Sequence, residues 1–300
     1  MRLQQKNIVF HLKALGVSDE AWRRLAVDGA AEILSVFRRG ITIAPLNDHN
    51  GRPIFVSCPG EGLLPEHVVV TKKDCEAILA HGRPGDTVFF TKRHRFRMEM
   101  PSLSASAQTI DESLKLLEQF VPSNGMTGLN IPCGEVLDDA WEWSEVFRCD
   151  WDKLPSWETE ERRSVLLQRL IGRGHGSTPA GDDMLVGAMA YIAVNEKALA
   201  HKTFFNTIRA LESKFPVLTT STSEVYLHWA LHRVFSSDII RLMEGIMSGD
   251  RRKIERNIDA LLRHGATSGL DTLVGIILII RNSQKYCLNV LFGQRSLLSL

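Results

Sequence analysis

Two adjacent carboxylates, Asp182 and Asp183, follow a loop of alternating glycines in the stretch GRGHGSTPAGDDMLVGAMA, residues 172–190. Thr178 before Pro179 has the form of a helix start: the hydroxyl can cap free backbone N–H groups, and proline at the first helical position loses no hydrogen bond. The spacing predicts a helix from Pro179. Gly172, Gly174 and Gly176 let the preceding loop turn several N–H groups toward one point, which with the positive helix end makes an anion site. The glycines alone lack the spacing and lysine of a P-loop and more often mark a plain turn. The helix that follows gives them weight. Asp182 shares a helical face with Val186, Met189 and Ala193, and Asp183 shares one with Gly187, Tyr191 and Val194. A helix apolar all round is buried, so its carboxylates must be paired, hydrogen-bonded or metal-bound. The alternative is that they complement the helix dipole at an exposed end.

A second copy lies downstream. RHGATSGLDTLVGIIL, residues 263–278, repeats His-Gly, Thr, Gly and Asp-x-Leu-Val-Gly in the same order, with one residue dropped. This predicts two equivalent helix starts facing each other across a pseudo-twofold, with Asp183 and Asp271 at a common centre. Five hydroxyl residues, 219–223, open a third helix, where one can cap and the others can bind a polar ligand. In that helix Glu224, His228 and His232 stand at successive i, i+4 positions that can ligate a metal, although the neighbouring glutamate of zinc proteases is missing.

These starts need a scaffold, and the rest of the chain outlines one. The 300 residues are 44% hydrophobic and 24% charged, enough for two domains with a sizeable core. A net charge of +1 argues against nucleic acid as a main partner. The longest apolar run, residues 273–280, is far short of the ~20 residues of a membrane span and is predicted to be core. Five cysteines show no paired close spacing and no signal-peptide pattern opens the chain, so the expected setting is a reducing cytoplasm. The first hundred residues carry short strand signals (ILSVF, ITIA, PIFVSC, HVVVT, TVFF, RFRMEM) separated by turns, with one helix near 72–80. No strand is followed by a long helical crossover, which predicts mostly antiparallel pairing in a barrel or sandwich. After Pro101 the periodicity becomes helical, with helices near 158–171, 179–195, 202–213, 221–235, 238–247, 251–263 and 268–281. The expected class is α+β: a β-rich domain over 1–105 and a mainly helical domain over 106–300 that carries all three motifs. Residues 131–157 hold four of the six tryptophans and read as a structured linker.

GRGHGSTPAGDDMLVG, TTSTSEVYL and HGATSGLDTLVG together resemble three signature stretches of the family that includes the small subunit of oxamate carbamoyltransferase, a component of anaerobic allantoin degradation. The likeness is concentrated in residues 170–280, with a looser match around ILSVFRRGITI. It implies a cytoplasmic transferase subunit that works with two other proteins, interconverting oxalurate and phosphate with oxamate and carbamoyl phosphate. Carried over are Gly174, Gly176, Thr178, Pro179, Asp182 and Asp183, then Thr219, Thr220 and Ser223, then Gly265, Thr267, Ser268, Gly269, Asp271 and Thr272. Ser177 departs, standing where a bulkier apolar residue is usual. A helix-like N-terminal extension through Arg24 also looks longer than the family needs.

Such a reaction needs an anion cradle, donors for a developing oxyanion and a group that manages the amide proton. Loop amides of residues 174–178, Ser177 included, and the hydroxyls of Thr178, Thr219, Thr267 and Ser268 suit the first two tasks. Asp182, Asp183 and Asp271 would repel phosphate if all were charged and close. They therefore either hold a cation such as Mg²⁺ or orient the donors from behind. His175 and His264 are candidates for proton transfer, with ordinary loop positions as the alternative. Two rival readings stay open: a Mg²⁺-dependent phosphoryl-transfer or hydrolytic enzyme on the same aspartates, and a noncatalytic interaction subunit.

Overall fold

In this computed structural model of the protein, the described residues are 7–25, 29–46, 52–60, 62–91, 94–122, 125–138, 145–148, 158–195 and 202–293. The backbone divides into two compact units, Met1–Glu99 and Met100–Leu300. The architecture is α+β, β in the first unit and helical in the second.

The first unit contains β1 (Val9–Ser18), α1 (Asp19–Arg24), β2 (Ala30–Phe37), β3 (Gly40–Pro45), β4 (Ile54–Ser57), β5 (His67–Val70), α2 (Lys72–His81), β6 (Thr87–Thr91) and β7 (Arg95–Phe96). The strands run in the order β5-β4-β3-β2-β6-β1-β7, and a further β5–β1 pairing closes six of them into a barrel. Around the ring, β1–β5, β2–β3, β2–β6 and β3–β4 are antiparallel, while β4–β5 and β1–β6 are parallel. β1 and β6, far apart in the sequence, lie side by side in the strand order, and the β5–β1 pairing is the one that closes the ring. The interior is filled by Leu12, Ala14, Val17, Ile33, Ile41, Ile43, Ile54, Val56, Val68 and Val88.

Two expectations fail here. The supposed helix-like start is β1, whose Leu12 and Ala14 point inward while His11, Lys13 and Leu15 face out; the helix-forming Leu, Lys and Ala obscure this period of two. Among the described residues before Leu25, only the six of α1, capped by the Ser18 hydroxyl on the Ala21 N–H, are helical. The second correction concerns cysteine. Cys58, just after β4, and Cys75, on α2, form a disulfide with Cα atoms 5.5 Å apart. Their separation of 17 residues gives no pairing signal, since the barrel alone brings them together. Close by, buried His67 accepts the Leu64 N–H on Nδ1, so Nε2 carries the proton facing Ser57 Oγ at 2.8 Å. Burial lowers this imidazole to about 3. It is no base for Ser57, which donates to the Cys58 carbonyl.

The second unit comprises α3 (Ala107–Phe120), α4 (Cys133–Leu137), α5 (Glu145–Arg148), α6 (Glu158–Leu170), α7 (Ala180–Val194), α8 (Lys202–Ala210), a 3₁₀ turn (Glu212–Lys214), α9 (Phe215–Leu218), α10 (Ser221–Leu231), α11 (Ser237–Ser248), α12 (Arg251–Leu262) and α13 (Ser268–Gly293). Ser106, Thr220, Ser236 and Asp250 each cap the helix they precede by accepting a backbone N–H. At the centre lie α7, buried on every side except at Ile192, and the apolar stretch 273–280 of α13. Among the described residues no helix is long and apolar enough to cross a membrane. Trp141, Trp143, Trp151 and Trp157, the rings of the expected linker, lie outside the described residues.

Candidate active site

The repeat is a structural duplication. In the first half α6 ends at Leu170, and Gly181 of α7 sits so close that an added Cβ would lie 2.0 Å from the Leu170 carbonyl oxygen. In the second half α12 leads to Gly269 of α13, where a Cβ would lie 2.0 Å from the Leu261 carbonyl oxygen. The loop hydrogen bonds match as well. Arg173 and His264 donate to Leu170 and Leu261, Gly181 and Gly269 donate to Arg173 and His264, and Asp183 and Asp271 donate to Pro179 and Thr267. Thr267 therefore stands where Pro179 does, not where Thr178 does, and the shortening falls inside the loop. The halves also lock together. A Cβ on Gly187 would meet the Thr272 carbonyl oxygen at 2.2 Å, and one on Gly275 the Met184 carbonyl oxygen at 2.0 Å, so α7 and α13 cross backbone on backbone.

The two starts converge: Thr178 Oγ1 and Ser268 Oγ are 2.6 Å apart. This pairing replaces the expected cap. Pro179 itself is the N-cap of α7 with no side-chain hydrogen bond, and the helix begins at Ala180.

The three aspartates are buried and differ in their partners. Asp182 Oδ1 accepts the Gly172 N–H at 2.8 Å, and Oδ2 accepts the Thr219 hydroxyl. Burial raises its pKa, opposed by Thr219, Gly172 and Ser223. This carboxyl fastens the glycine loop to the start of α10. Asp271 accepts the Gly128 N–H on both oxygens, at 3.1 and 3.2 Å. Burial raises it to about 6 against the support of Gly128 and Thr267. Asp183 has an oxygen, Oδ2, that is buried without a partner. Burial drives its pKa well above the usual carboxylate range, the Ser268 and Thr178 hydroxyls counteract this, and the Asp271 charge adds to the rise.

Two neighbours join the predicted residues: Gly128 from outside the motifs, and Tyr226 from within TTSTSEVYL. Gly128 donates to Asp271, and a Cβ there would lie 2.8 Å from Thr267 Oγ1 and 3.1 Å from Ala180 Cβ, so a side chain at this position would crowd both helix starts. Nothing in Thr127-Gly128-Leu129-Asn130 distinguishes it from a plain turn, although Asn130 at φ 59 shows the tightness of the bend. Tyr226 on α10 has a desolvated phenol raised by burial and then by the charge of Asp183. Cys133 is excluded as a nucleophile: burial, then Asp271, push its thiol up to about 11.

The remaining predicted residues divide. Thr220 caps α10, accepting the Ser223 N–H at 3.1 Å, and donates to the Ser177 carbonyl at 2.5 Å, so TTSTS is tied to the glycine loop. Thr272 Oγ1 is spent on the Ser268 carbonyl at 2.8 Å. Gly174 is packed against the Ala180 N–H and the Gly128 carbonyl, whereas Gly176 is open and Gly265 faces its own Ser268 side chain. His175 is exposed on the loop. The imidazole of His264 is bonded through Nε2 to Asp238 Oδ2 at 2.6 Å, an interaction that lowers Asp238.

Barrel and duplicated helical unit thus define a two-part α+β protein whose repeated helix starts bring a hydroxyl pair and two elevated carboxyl groups to one buried point. Residues 170–280, running from the end of α6 through Ile280 and containing all three motifs, match the family model described as oxamate carbamoyltransferase subunit AllH. The match supports the resemblance carried by the motifs. No solved structure matches the chain.

Proposed function

We propose that this chain is a subunit of an oxamate carbamoyltransferase, acting with other subunits to interconvert oxalurate and phosphate with oxamate and carbamoyl phosphate. The observation that carries the chemistry is the unpartnered Asp183 Oδ2 beside the Thr178–Ser268 hydroxyl pair. In the phosphate direction, a phosphate oxygen bonds to the terminal carbonyl carbon of oxalurate while the bond from that carbon to the oxamate nitrogen breaks. The departing nitrogen needs a proton and the attacking phosphate gives one up. Asp183, whose burial favours the protonated form, can supply the first and recover the second, so it ends the turnover unchanged. By favouring the protonated form, burial also lessens the repulsion that charged aspartates would exert on phosphate. The hydroxyls of Thr178 and Ser268 and the N–H groups of the glycine loop serve as donors to the anion.

For a divalent cation this donor set leaves Asp183 Oδ2 as the carboxylate oxygen without a hydrogen bond, because both oxygens of Asp182 and of Asp271 are already engaged. There it would supply charge neutralisation for the phosphate.

The test is Asp183→Asn in the assembly reconstituted with its partner subunits, read as carbamoyl phosphate formed from oxalurate and phosphate. The amide keeps the shape and brings no charge into a buried position, so the subunit should fold and assemble as before. Activity should fall on the order of 10²-fold, the loss typical of a key transition-state group. Full activity at unchanged assembly would move the chemistry elsewhere.

A further inference from the structure

At the far end of α10 from Thr219 and Thr220 lies a side-chain cluster that the proposed reaction does not use. Glu212 opens the 3₁₀ turn, His228 lies in the last turn of α10, and His232 is its C-cap. One ligand atom from each falls within 4.8 Å of the others, and His228 Nδ1 is 2.5 Å from Glu212 Oε1. The two imidazoles are 4.7 Å apart between centroids, and the Trp229 ring stands edge-on to His228 at 4.9 Å. Glu224, the third position of the sequence pattern, is replaced by Glu212, brought in by the chain reversal at α9.

We propose that Glu212, His228 and His232 form a site for a zinc-type transition-metal ion. The donor set, two imidazoles and one carboxylate, suits zinc and leaves one coordination position open. Zinc–nitrogen and zinc–oxygen bonds of about 2.0–2.1 Å place tetrahedral ligands on the order of 3.4 Å apart, between the 2.5 Å of the His228–Glu212 pair and the 4.8 Å that bounds all three. The ion would sit at the C-terminal end of α10, the negative end of the helix dipole, which favours positive charge. It stands about 18 Å along the helix from Thr220, at ~1.5 Å per residue, so it is no part of the anion site. Its effect is to clamp: residue 212 is fastened to 228 and 232 across the hairpin whose turn carries Thr219 and Thr220.

The test uses the metal-stripped full chain without an affinity tag, titrated with zinc by calorimetry and with Co²⁺ by visible absorption. One equivalent should bind, with the intense bands of tetrahedral cobalt. Because His232 is exposed, His232→Ala should keep the unfolding temperature of the metal-free protein. It should weaken zinc at least about 10- to 100-fold, the loss that even an outer-shell partner causes. Glu212→Gln should weaken it in the same direction. Zinc should also slow amide exchange across 212–232 in the wild type but not in His232→Ala. Equal zinc affinity in wild type and His232→Ala overturns the site, and tight binding without added protection across 212–232 overturns the clamp.

Discussion

Replacing Gly275 by alanine sets two effects against each other. Alanine is the better helix former by about 1 kcal/mol, so at an open helical position the change stabilises. At Gly275 the new Cβ would lie 2.0 Å from the carbonyl oxygen of Met184. Ordinary contact needs about 3.4–3.5 Å, so α7 and α13 must part by on the order of 1.4 Å. Backbone has no rotamer through which to yield, which puts the cost at or above the upper end of the ~1–3 kcal/mol typical of overpacking. The net expectation is a loss of at least about 2 kcal/mol, or roughly 4–8 °C in the unfolding temperature of a unit this size. Gly187→Ala, facing the Thr272 carbonyl at 2.2 Å, should behave alike. The double variant should lose less than the sum, because one separation relieves both clashes. Thermal and urea unfolding by circular dichroism measure all three. A neutral or stabilised Gly275→Ala would refute the backbone-on-backbone crossing.

Asp271 makes a prediction with a definite sign. Its carboxyl is raised to about 6 in the folded protein, so the native state binds the extra proton between the unfolded value and 6. Its stabilising contribution is complete below about pH 4 and is lost as pH rises through 6, a change on the order of 3 kcal/mol. The urea-unfolding difference between Asp271→Asn and wild type should therefore shift by that amount in favour of the variant from pH 4 to 7.5; a constant difference would contradict it. For Asp182, alanine strands the Gly172 N–H and the Thr219 hydroxyl in a buried space, at about 1–3 kcal/mol each. Asparagine keeps an acceptor and should recover most of this in equilibrium unfolding, so equal losses for the two variants would mean that Asp182 does not fasten the loop.

What could be read from the sequence was local. Helix periodicity places α6, α7, α10, α11 and α12 to within a few residues, and the strand runs announce a barrel or sandwich, because these patterns reflect which face is buried. The all-round apolarity of α7 likewise forces Asp182 and Asp183 inward. What escaped was set by contacts distant in the chain. β1 is composed like a helix, and the Cys58–Cys75 link exists because the barrel closes. Gly128 matters only because Asp271 reaches it from 143 positions away. The distinct roles of the adjacent aspartates were equally hidden, since Asp182 and Asp183 differ by which neighbours arrive and not by any property of their own.

The duplication has a consequence for how a ligand lies. Two equivalent helix starts present a two-ended molecule with the same groups from either side, so perfect symmetry would let it bind in two opposite senses. The loops break this degeneracy. The first spans eight positions from Arg173 to Gly181 and the second only five from His264 to Gly269, so the glycine-rich loop belongs to one start alone. The longer loop is also the one that Asp182 and Thr220 tie to α10. A frame built twice from one pattern thereby acquires a head and a tail, and the extra residues of a single loop choose between them.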